Sequence, residues 1–304
     1  MSIDLAQRYR GCLLGLACGD AVGTTLEFMP RGSFAEVTGM HGGGPFKLQP
    51  GQWTDDTSMA LCLADSLLAC GGFDALDQMR RYHAWWRQGL RSSTGVCFDI
   101  GRTVGAALAR FERDGEPYAG STDPTSAGNG SLMRLAPIVL RWHPDTGAID
   151  RYAADSSRTT HAAAEAVEAC RLFACMLTRA LDGHARADVL DVGKLVLAEP
   201  KLRAIAEGNW LGKPREAIRG SGYAVESLEA ALWCFAHTTS FESAVLAAAN
   251  LGDDADTTGA ITGQIAGAYY GVGGIPADWL AVLHAREEID ALAVGLFAAA
   301  TDRA

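Results

Sequence analysis

Apolar residues recur every three or four positions along most of the chain, which is the spacing of one buried face of an α-helix. No segment alternates apolar and polar residues over a length typical of a β-strand. The pattern therefore predicts an all-α fold. The predicted helices span 4–22, 58–70, 74–88, 99–113, 131–141, 147–158, 162–181, 223–237, 241–250, 257–271, 276–284 and 286–301, with shorter helical pieces within 186–207.

Two of the predicted helices carry glycine at every fourth position. The first row is Gly11, Gly15, Gly19 and Gly23, in the helix predicted over 4–22 and directly after it. The second row is Gly259, Gly263 and Gly267, in the helix predicted over 257–271. Glycine inside a helix costs about 1 kcal/mol relative to alanine, so a row of glycines needs a compensating contact. We expect both helices to lie centrally in the core, each close to a neighbouring helix.

A long loop, residues 24–53, interrupts the helical pattern with repeated glycine and proline. Loops of this length in compact domains are usually functional. The loop leads to an acidic stretch at a predicted helix start, Thr54-Asp55-Asp56-Thr57. A second acidic stretch, 253–258 with the sequence Asp-Asp-Ala-Asp-Thr-Thr, opens another predicted helix.

Adjacent carboxylates raise each other's pKa unless a cation keeps them ionised. Sites rich in oxygen ligands select hard divalent cations such as Mg²⁺, Mn²⁺ or Ca²⁺. If the two acidic stretches meet in space, they offer enough carboxylates for two ions that share bridging ligands. The alternative is that each stretch is a helix N-cap with solvated charge, because Asp and Thr favour helix starts.

Two other motifs overlap the second acidic stretch. An EF-hand loop that began at Asp254 would place Ile265 where a bidentate carboxylate is required, so that motif is excluded. The Asp-x-Asp-x-Thr pattern of haloacid-dehalogenase-type phosphatases also fits from Asp254. Such phosphatases place this aspartate after a buried strand, whereas the preceding residues 243–250 are alanine-rich and helical. Phosphoryl transfer remains a second possibility.

Composition narrows the class of protein. The 304 residues carry a formal net charge of −10, which argues against nucleic acid as a partner. The eight cysteines show no CxxC spacing, which favours free thiols in a reducing compartment. No apolar run reaches transmembrane length, and the beginning of the chain is a poor signal peptide. We expect a cytoplasmic, monomeric protein with one domain over 1–304.

Six sequence segments, in order, give a specific resemblance. They are Gly15-Leu16-Ala17-Cys18-Gly19-Asp20-Ala21-Val22-Gly23, Leu26-Glu27-Phe28, Pro50-Gly51-Gln52-Trp53-Thr54-Asp55-Asp56-Thr57, Gly128-Asn129-Gly130-Ser131-Leu132-Met133-Arg134, Thr160-His161 and Gly252-Asp253-Asp254-Ala255-Asp256-Thr257. With them the chain resembles the ADP-ribosylglycohydrolase family, including the dinitrogenase-reductase-activating glycohydrolases of bacteria. The resemblance covers residues 11–271, nearly the whole chain.

The resemblance implies a single-domain orthogonal helical bundle with a centre of two divalent cations, Mg²⁺ or Mn²⁺. The metal ligands that it implies are Thr54, Asp55, Asp56, Asp254, Asp256 and Thr257. Asp253 is left out of this set, because relatives often have glycine or asparagine at its position. The resemblance further implies hydrolysis of the N- or O-glycosidic bond between ADP-ribose and an acceptor side chain, often arginine, which is the acceptor that we expect here. The expected partner is therefore an ADP-ribosylated protein or another ADP-ribose conjugate.

Two carboxylates outside the implied ligand set are candidates for the proton transfer that glycoside cleavage requires. Asp99 matches the catalytic carboxylate of the nitrogenase-regulating branch, and Glu27 matches that of the branch acting on serine-linked ADP-ribose. Asp99 is also a plausible N-cap for a helix over 100–112, and Glu27 a plausible solvated loop charge. We favour Asp99 and keep Glu27 as the alternative.

The family context also implies residues that bind substrate. The Gly128-Asn129-Gly130 turn can present backbone N–H groups to a pyrophosphate. His161 is expected to contact ribose or phosphate, and Tyr223 to contact adenosine, although a core position for Tyr223 fits equally well. Hydrolysis of serine- or O-acetyl-linked ADP-ribose and a non-catalytic ADP-ribose-binding role are the remaining alternatives.

Overall fold

The structure, a computed structural model, describes residues 3–193 and 195–302. Its α-helices, numbered in chain order, are α1 Leu5–Gly23, α2 Asp55–Ala69, α3 Ala75–Gln88, α4 Arg102–Asp114, α5 Ala136–Trp142, α6 Thr146–Arg158, α7 Ala164–Leu181, α8 Arg186–Leu190, α9 Pro200–Ala206, α10 Ala224–Ala236, α11 Phe241–Ala249, α12 Ala255–Tyr270, α13 Ala277–Val282 and α14 Arg286–Thr301. Within the described ranges there is no β-strand, only isolated bridges. The predicted all-α class is confirmed.

The two glycine-bearing helices pack against each other. α1 and α12 run antiparallel, so Gly11 faces Gly267, Gly15 faces Gly263 and Gly19 faces Gly259. A Cβ at any of these glycines would overlap the backbone of the opposite helix. Both helices are buried along most of their length, which confirms their predicted central position. The antiparallel contact also places the end of α1 beside the start of α12, where Gly23 meets Ala255.

Two predicted helices begin at least three residues later than expected. The helix predicted over 131–141 begins at Ala136. Pro137 has no backbone N–H, so it could not donate to a carbonyl one turn earlier in a helix that began at residue 131, but it fits the first turn of a helix. The segment before it instead forms turns, in which the amide of Leu132 donates to the carbonyl of Asn129 at 2.8 Å. The helix predicted from Asp99 begins at Arg102, with Gly101 as its N-cap. The N-cap alternative for Asp99 is therefore wrong.

The helices that follow the two acidic stretches begin slightly earlier than predicted. α2 begins at Asp55 and α12 at Ala255, so Asp55, Asp56 and Asp256 all lie in first helical turns. The partial positive charge of a helix N-terminus favours carboxylates at this position. No helix in the described part of the chain has the length and apolarity needed to cross a membrane.

Candidate active site

Asp20, near the end of α1, fixes the start of α2. Its side chain is fully buried, and its two oxygens accept hydrogen bonds from the amides and hydroxyls of Thr54 and Thr57. The hydroxyl of Thr57 lies 2.6 Å from Oδ2, and the hydroxyl of Thr54 lies 2.9 Å from Oδ1. Sequence reasoning gave Asp20 no role. An aspartate inside the otherwise apolar, glycine-rich run 11–23 of this helix is the signal that points to it.

Glu27 fixes the start of α12 in a similar way. Its side chain is only 4% exposed, and Oε2 accepts the amides of Ala255 at 2.9 Å and Asp256 at 3.4 Å. The alternative of a solvated loop charge for Glu27 is therefore wrong. The antiparallel packing of α1 on α12 explains this contact, because the chain leaving α1 passes directly over the first turn of α12.

The two acidic stretches meet where the N-termini of α2 and α12 converge. Thr54 Oγ1 lies 3.2 Å from Asp56 Oδ2 and 3.3 Å from Asp256 Oδ2. Carboxylate oxygens of Asp20, Asp56 and Asp256 lie within 4.8 Å of one another, and so do those of Glu27, Asp254 and Asp256. These clusters could hold metal ions.

Burial shapes the titration of this cluster. Burial, followed by the charge of Asp256, raises the pKa of Asp254 to about 7. Burial, followed by the charge of Asp99, raises the pKa of Asp256 to about 7. Burial also raises the pKa of Asp20 to about 6, although the threonine donors oppose the shift. The pKa values of Asp55 and Asp56 are raised well above their usual range, again mainly by burial.

A divalent cation fits this arrangement of oxygen ligands. Asp56 Oδ1 is buried and has no hydrogen-bond partner among the residues that the structure describes. Several buried carboxylates with too few hydrogen-bond donors are costly unless positive charge balances them. Carboxylate and hydroxyl oxygens are the ligands that Mg²⁺ and Mn²⁺ prefer.

Three carboxylates of the cluster, Glu27, Asp254 and Asp256, line a cavity of about 680 Å³. Asp55, Asp99 and Thr257 also line it, and Asp99 adopts a left-handed backbone conformation with φ of 57°. Burial raises the pKa of Asp99 to about 7, against a lowering contribution from a hydrogen bond with Asp256. Asp99 therefore combines access to the cavity with a pKa suited to proton transfer near neutral pH.

The Gly128-Asn129-Gly130 turn forms another part of the cavity wall. Asn129 Nδ2 donates to Asp254 Oδ2 at 2.6 Å, which ties this turn to the second acidic stretch. The His161 ring lies directly under the turn, since a Cβ at Gly130 would come within 2.8 Å of its Cε1. Close approach to this ring, rather than backbone conformation, explains why Gly130 needs to be glycine.

His161 is neutral in this environment. It is buried, and Nδ1 lies 2.8 Å from the Thr160 hydroxyl. Burial, followed by the charge of Arg134, lowers its pKa to about 3. Arg134, also buried, donates to the carbonyl of Gly130 and to Thr160 Oγ1 and so holds the turn and the histidine together.

Tyr223 does not line the cavity that contains Asp254 and Asp256, the acidic cavity. It lines an adjoining second cavity of about 600 Å³. Its hydroxyl donates to Glu165 and accepts from Lys201 Nζ at 2.7 Å. The two cavities share four lining residues, namely Arg102, Thr103, Gly128 and Gly222. The structure therefore brings together all the predicted site residues except Tyr223, which lies one cavity away.

A family model described as ADP-ribosylglycohydrolase matches residues 1–304. The chain belongs to the ADP-ribosylglycohydrolase family. This finding confirms the family inferred from the sequence segments and, with it, the expectation of a glycohydrolase.

Individual relatives are similar over nearly the whole chain. The ADP-ribosylarginine hydrolase Tri1 of Pseudomonas putida (strain GB-1) is 46% identical over 95% of this chain and 78% of its own length. The ADP-ribosyl-[dinitrogen reductase] glycohydrolase of Rhodospirillum rubrum is 33% identical over 94% of this chain and 95% of its own. A solved structure described as an ADP-ribosylglycohydrolase-related protein complex aligns with a TM-score of 0.85 and 46% identity, covering 98% of this chain and 99% of that one.

Proposed function

We propose that this protein hydrolyses the bond between ADP-ribose and an arginine side chain and releases free ADP-ribose. The observation that carries the proposal is the convergence of two acidic stretches at a cavity that Asp99 also lines. A relative named ADP-ribosylarginine hydrolase at 46% identity supports arginine as the acceptor.

Two divalent cations, Mg²⁺ or Mn²⁺, would be held by Thr54, Asp55, Asp56, Asp254, Asp256 and Thr257. When bound, such ions supply positive charge that holds ribose oxygens and makes a water more acidic. Asp20 is not included among the ligands, because its oxygens already accept several hydrogen bonds from Thr54 and Thr57. Its role is to position Thr54 and the first turn of α2.

Asp99 is the group that we assign to proton transfer. In the reaction, the oxygen of water bonds to the anomeric carbon of the ribose as the bond from that carbon to the guanidine nitrogen breaks. One proton of the water ends on the leaving nitrogen, and the carboxyl group of Asp99, which lines the cavity, can carry it. Glu27 is less suited to this step, because its Oε2 already accepts amides at the start of α12.

The diphosphate and adenosine parts of the substrate would extend toward the second cavity. Arg102 lines both cavities and Lys201 lines the second, so cationic donors are available for phosphate oxygens. Neutral His161 and the Gly128-Asn129-Gly130 turn would contact the ribose and the adjacent phosphate at the boundary between the cavities.

The test is release of ADP-ribose from arginine-linked and serine-linked ADP-ribosylated proteins, each with Mg²⁺, Mn²⁺ or a chelator. We expect release from the arginine-linked protein with at least one metal and its loss with the chelator. Asp256→Asn, which keeps the side-chain size, should lower the rate by at least about a hundredfold and abolish stabilisation by the metal. Absence of release from the arginine-linked protein under every condition would refute the proposal.

A further inference from the structure

Phe28 is an unusual residue at the rim of the acidic cavity. Its side chain is 64% exposed, although phenylalanine is normally buried, and its backbone is left-handed with φ of 63°. A bulky residue rarely adopts this conformation, and such strained residues concentrate at binding and active sites.

The backbone around Phe28 is held firmly, so its exposure is built into the fold. The amide of Phe28 donates to the carbonyl of Asp253 at 2.7 Å, and the amide of Asp253 donates to the carbonyl of Met29 at 2.8 Å. With the contacts of Glu27 to the first turn of α12, this pairing turns the Glu27 side chain inward and leaves the Phe28 ring on the cavity wall.

The Phe28 ring belongs to a row of three aromatic rings. The ring centroids of Phe28 and Phe46 are 6.2 Å apart, and those of Phe46 and Phe98 are 5.2 Å apart. Phe98 directly precedes Asp99, just as Phe28 directly follows Glu27. The row therefore joins the two loops that carry the candidate proton-transfer carboxylates.

Phe28 lines the acidic cavity but not the second cavity, toward which the ADP part of the substrate is proposed to extend. The residues shared with the second cavity are Arg102, Thr103, Gly128 and Gly222, and Phe28 is not among them. In the proposed function, the ribose lies against the acidic residues of the first cavity and the diphosphate extends to the second cavity. The acceptor would then occupy the part of the first cavity's mouth that is farther from the second cavity.

The charge around this part of the mouth suits a cation. The exposed residue Asp253 lines the cavity, and its backbone is hydrogen-bonded to that of Phe28. Among the described residues that line this cavity, Arg102 is the only arginine or lysine, and it lies at the boundary with the second cavity. A planar guanidinium packs well on an aromatic face and is attracted by carboxylates nearby.

We propose that the Phe28 ring is the binding platform for the guanidinium group of the acceptor arginine, with Asp253 as the neighbouring carboxylate. The platform selects arginine-linked ADP-ribose over conjugates whose acceptor has no planar cation. This inference rests on the proposed function, because it assigns the acceptor side of the same site.

The test compares Phe28→Ala, Phe28→Leu and Phe28→Trp with the unchanged protein. kcat/KM is measured on an arginine-linked ADP-ribosylated peptide, and the Kd of free ADP-ribose is measured by calorimetry. Tyr118→Ala removes another exposed aromatic side chain, 52% exposed, from a residue that is not among the described linings of either cavity. It serves as the matched control.

Stacking predicts that Ala and Leu both lower kcat/KM by about three- to tenfold, that Trp retains it, and that the Kd of ADP-ribose stays the same in all variants. Tyr118→Ala should leave both quantities unchanged. The platform is refuted if Leu retains full kcat/KM, if Ala has no effect, or if the Kd of free ADP-ribose weakens in parallel with kcat/KM. If the unchanged protein does not cleave the peptide, the proposed function fails and the platform fails with it.

Discussion

Carboxyl groups of the same chemical type have different environments in this site. Asp20 is saturated with hydrogen bonds from threonine, Glu27 accepts amides at the start of α12, and Asp56 retains a buried oxygen without a described partner. Asp99 lies on the cavity wall, where burial raises its pKa to about 7. Burial and available donors, rather than residue type, therefore distinguish the groups for which we propose positioning, metal binding and proton transfer.

This separation predicts different consequences for two isosteric substitutions. Asp99→Asn should lower kcat by about a hundredfold or more while the thermal stabilisation by Mg²⁺ or Mn²⁺ remains, because only the transferable proton is lost. Glu27→Gln should instead weaken the stabilisation by the metal, since it changes the support of the first turn of α12. Steady-state kinetics and thermal melts with and without metal measure both. Equal loss of metal stabilisation in both variants would contradict the assignment.

At the scale of elements, the α1–α12 pair determines where the active-site groups lie. The glycine rows let the two backbones touch, and the antiparallel contact places Asp20 and Glu27 beside the first turns of α2 and α12. A helix pair separated by ordinary side chains would move these groups apart by several ångströms. The glycine rows are therefore part of the site's construction, although no glycine of α1 or α12 is among the described residues lining the cavity.

Gly15→Ala tests this contact. The added Cβ would overlap the carbonyl of Gly263, so the helices must separate, and we expect destabilisation of at least about 1–3 kcal/mol. Gly105→Ala in α4 is the matched control, because its Cβ would come no closer than 3.8 Å to Ile100. The control should be neutral or stabilise by up to about 1 kcal/mol, as alanine favours helix. Chemical denaturation measures both, and equal stability of the two variants would disprove the role of the glycine row.

At the scale of the whole molecule, the acidic cluster makes the stability of the metal-free fold depend on pH. The pKa of Asp20 is raised to about 6, and the pKa values of Asp99, Asp254 and Asp256 are raised to about 7, mainly by burial. The folded state thus binds these protons more tightly than the unfolded chain, in which such groups titrate near 4. Their contribution to stability is complete below about pH 4 and is lost as the pH rises through 6 to 7. His161, with its pKa lowered to about 3 by burial, acts in the opposite direction but is a single group.

The metal-free protein should therefore melt at a lower temperature at pH 8 than at pH 5. Addition of Mg²⁺ or Mn²⁺ should raise the melting temperature most at pH 8, where the ligands are deprotonated, and least at pH 5. Differential scanning fluorimetry in chelator and in metal measures both effects. A metal-free melting temperature that rises from pH 5 to pH 8 would contradict the proposed effect of the buried carboxylates.

The amino-acid sequence alone determined the helical class, the family, the two glycine rows and the two acidic stretches, because these are encoded in local spacing and short motifs. It misplaced the start of α5, where Pro137 prevents a helix from beginning at residue 131. Only the tertiary structure showed that Asp20 accepts hydrogen bonds from Thr54 and Thr57 and that Glu27 is buried against the first turn of α12. It also showed that Phe28 is exposed at the mouth of the cavity. These features depend on contacts between residues more than 30 positions apart and on backbone hydrogen bonds that hold single side chains inward or outward. Neither is visible in the periodicity of one sequence.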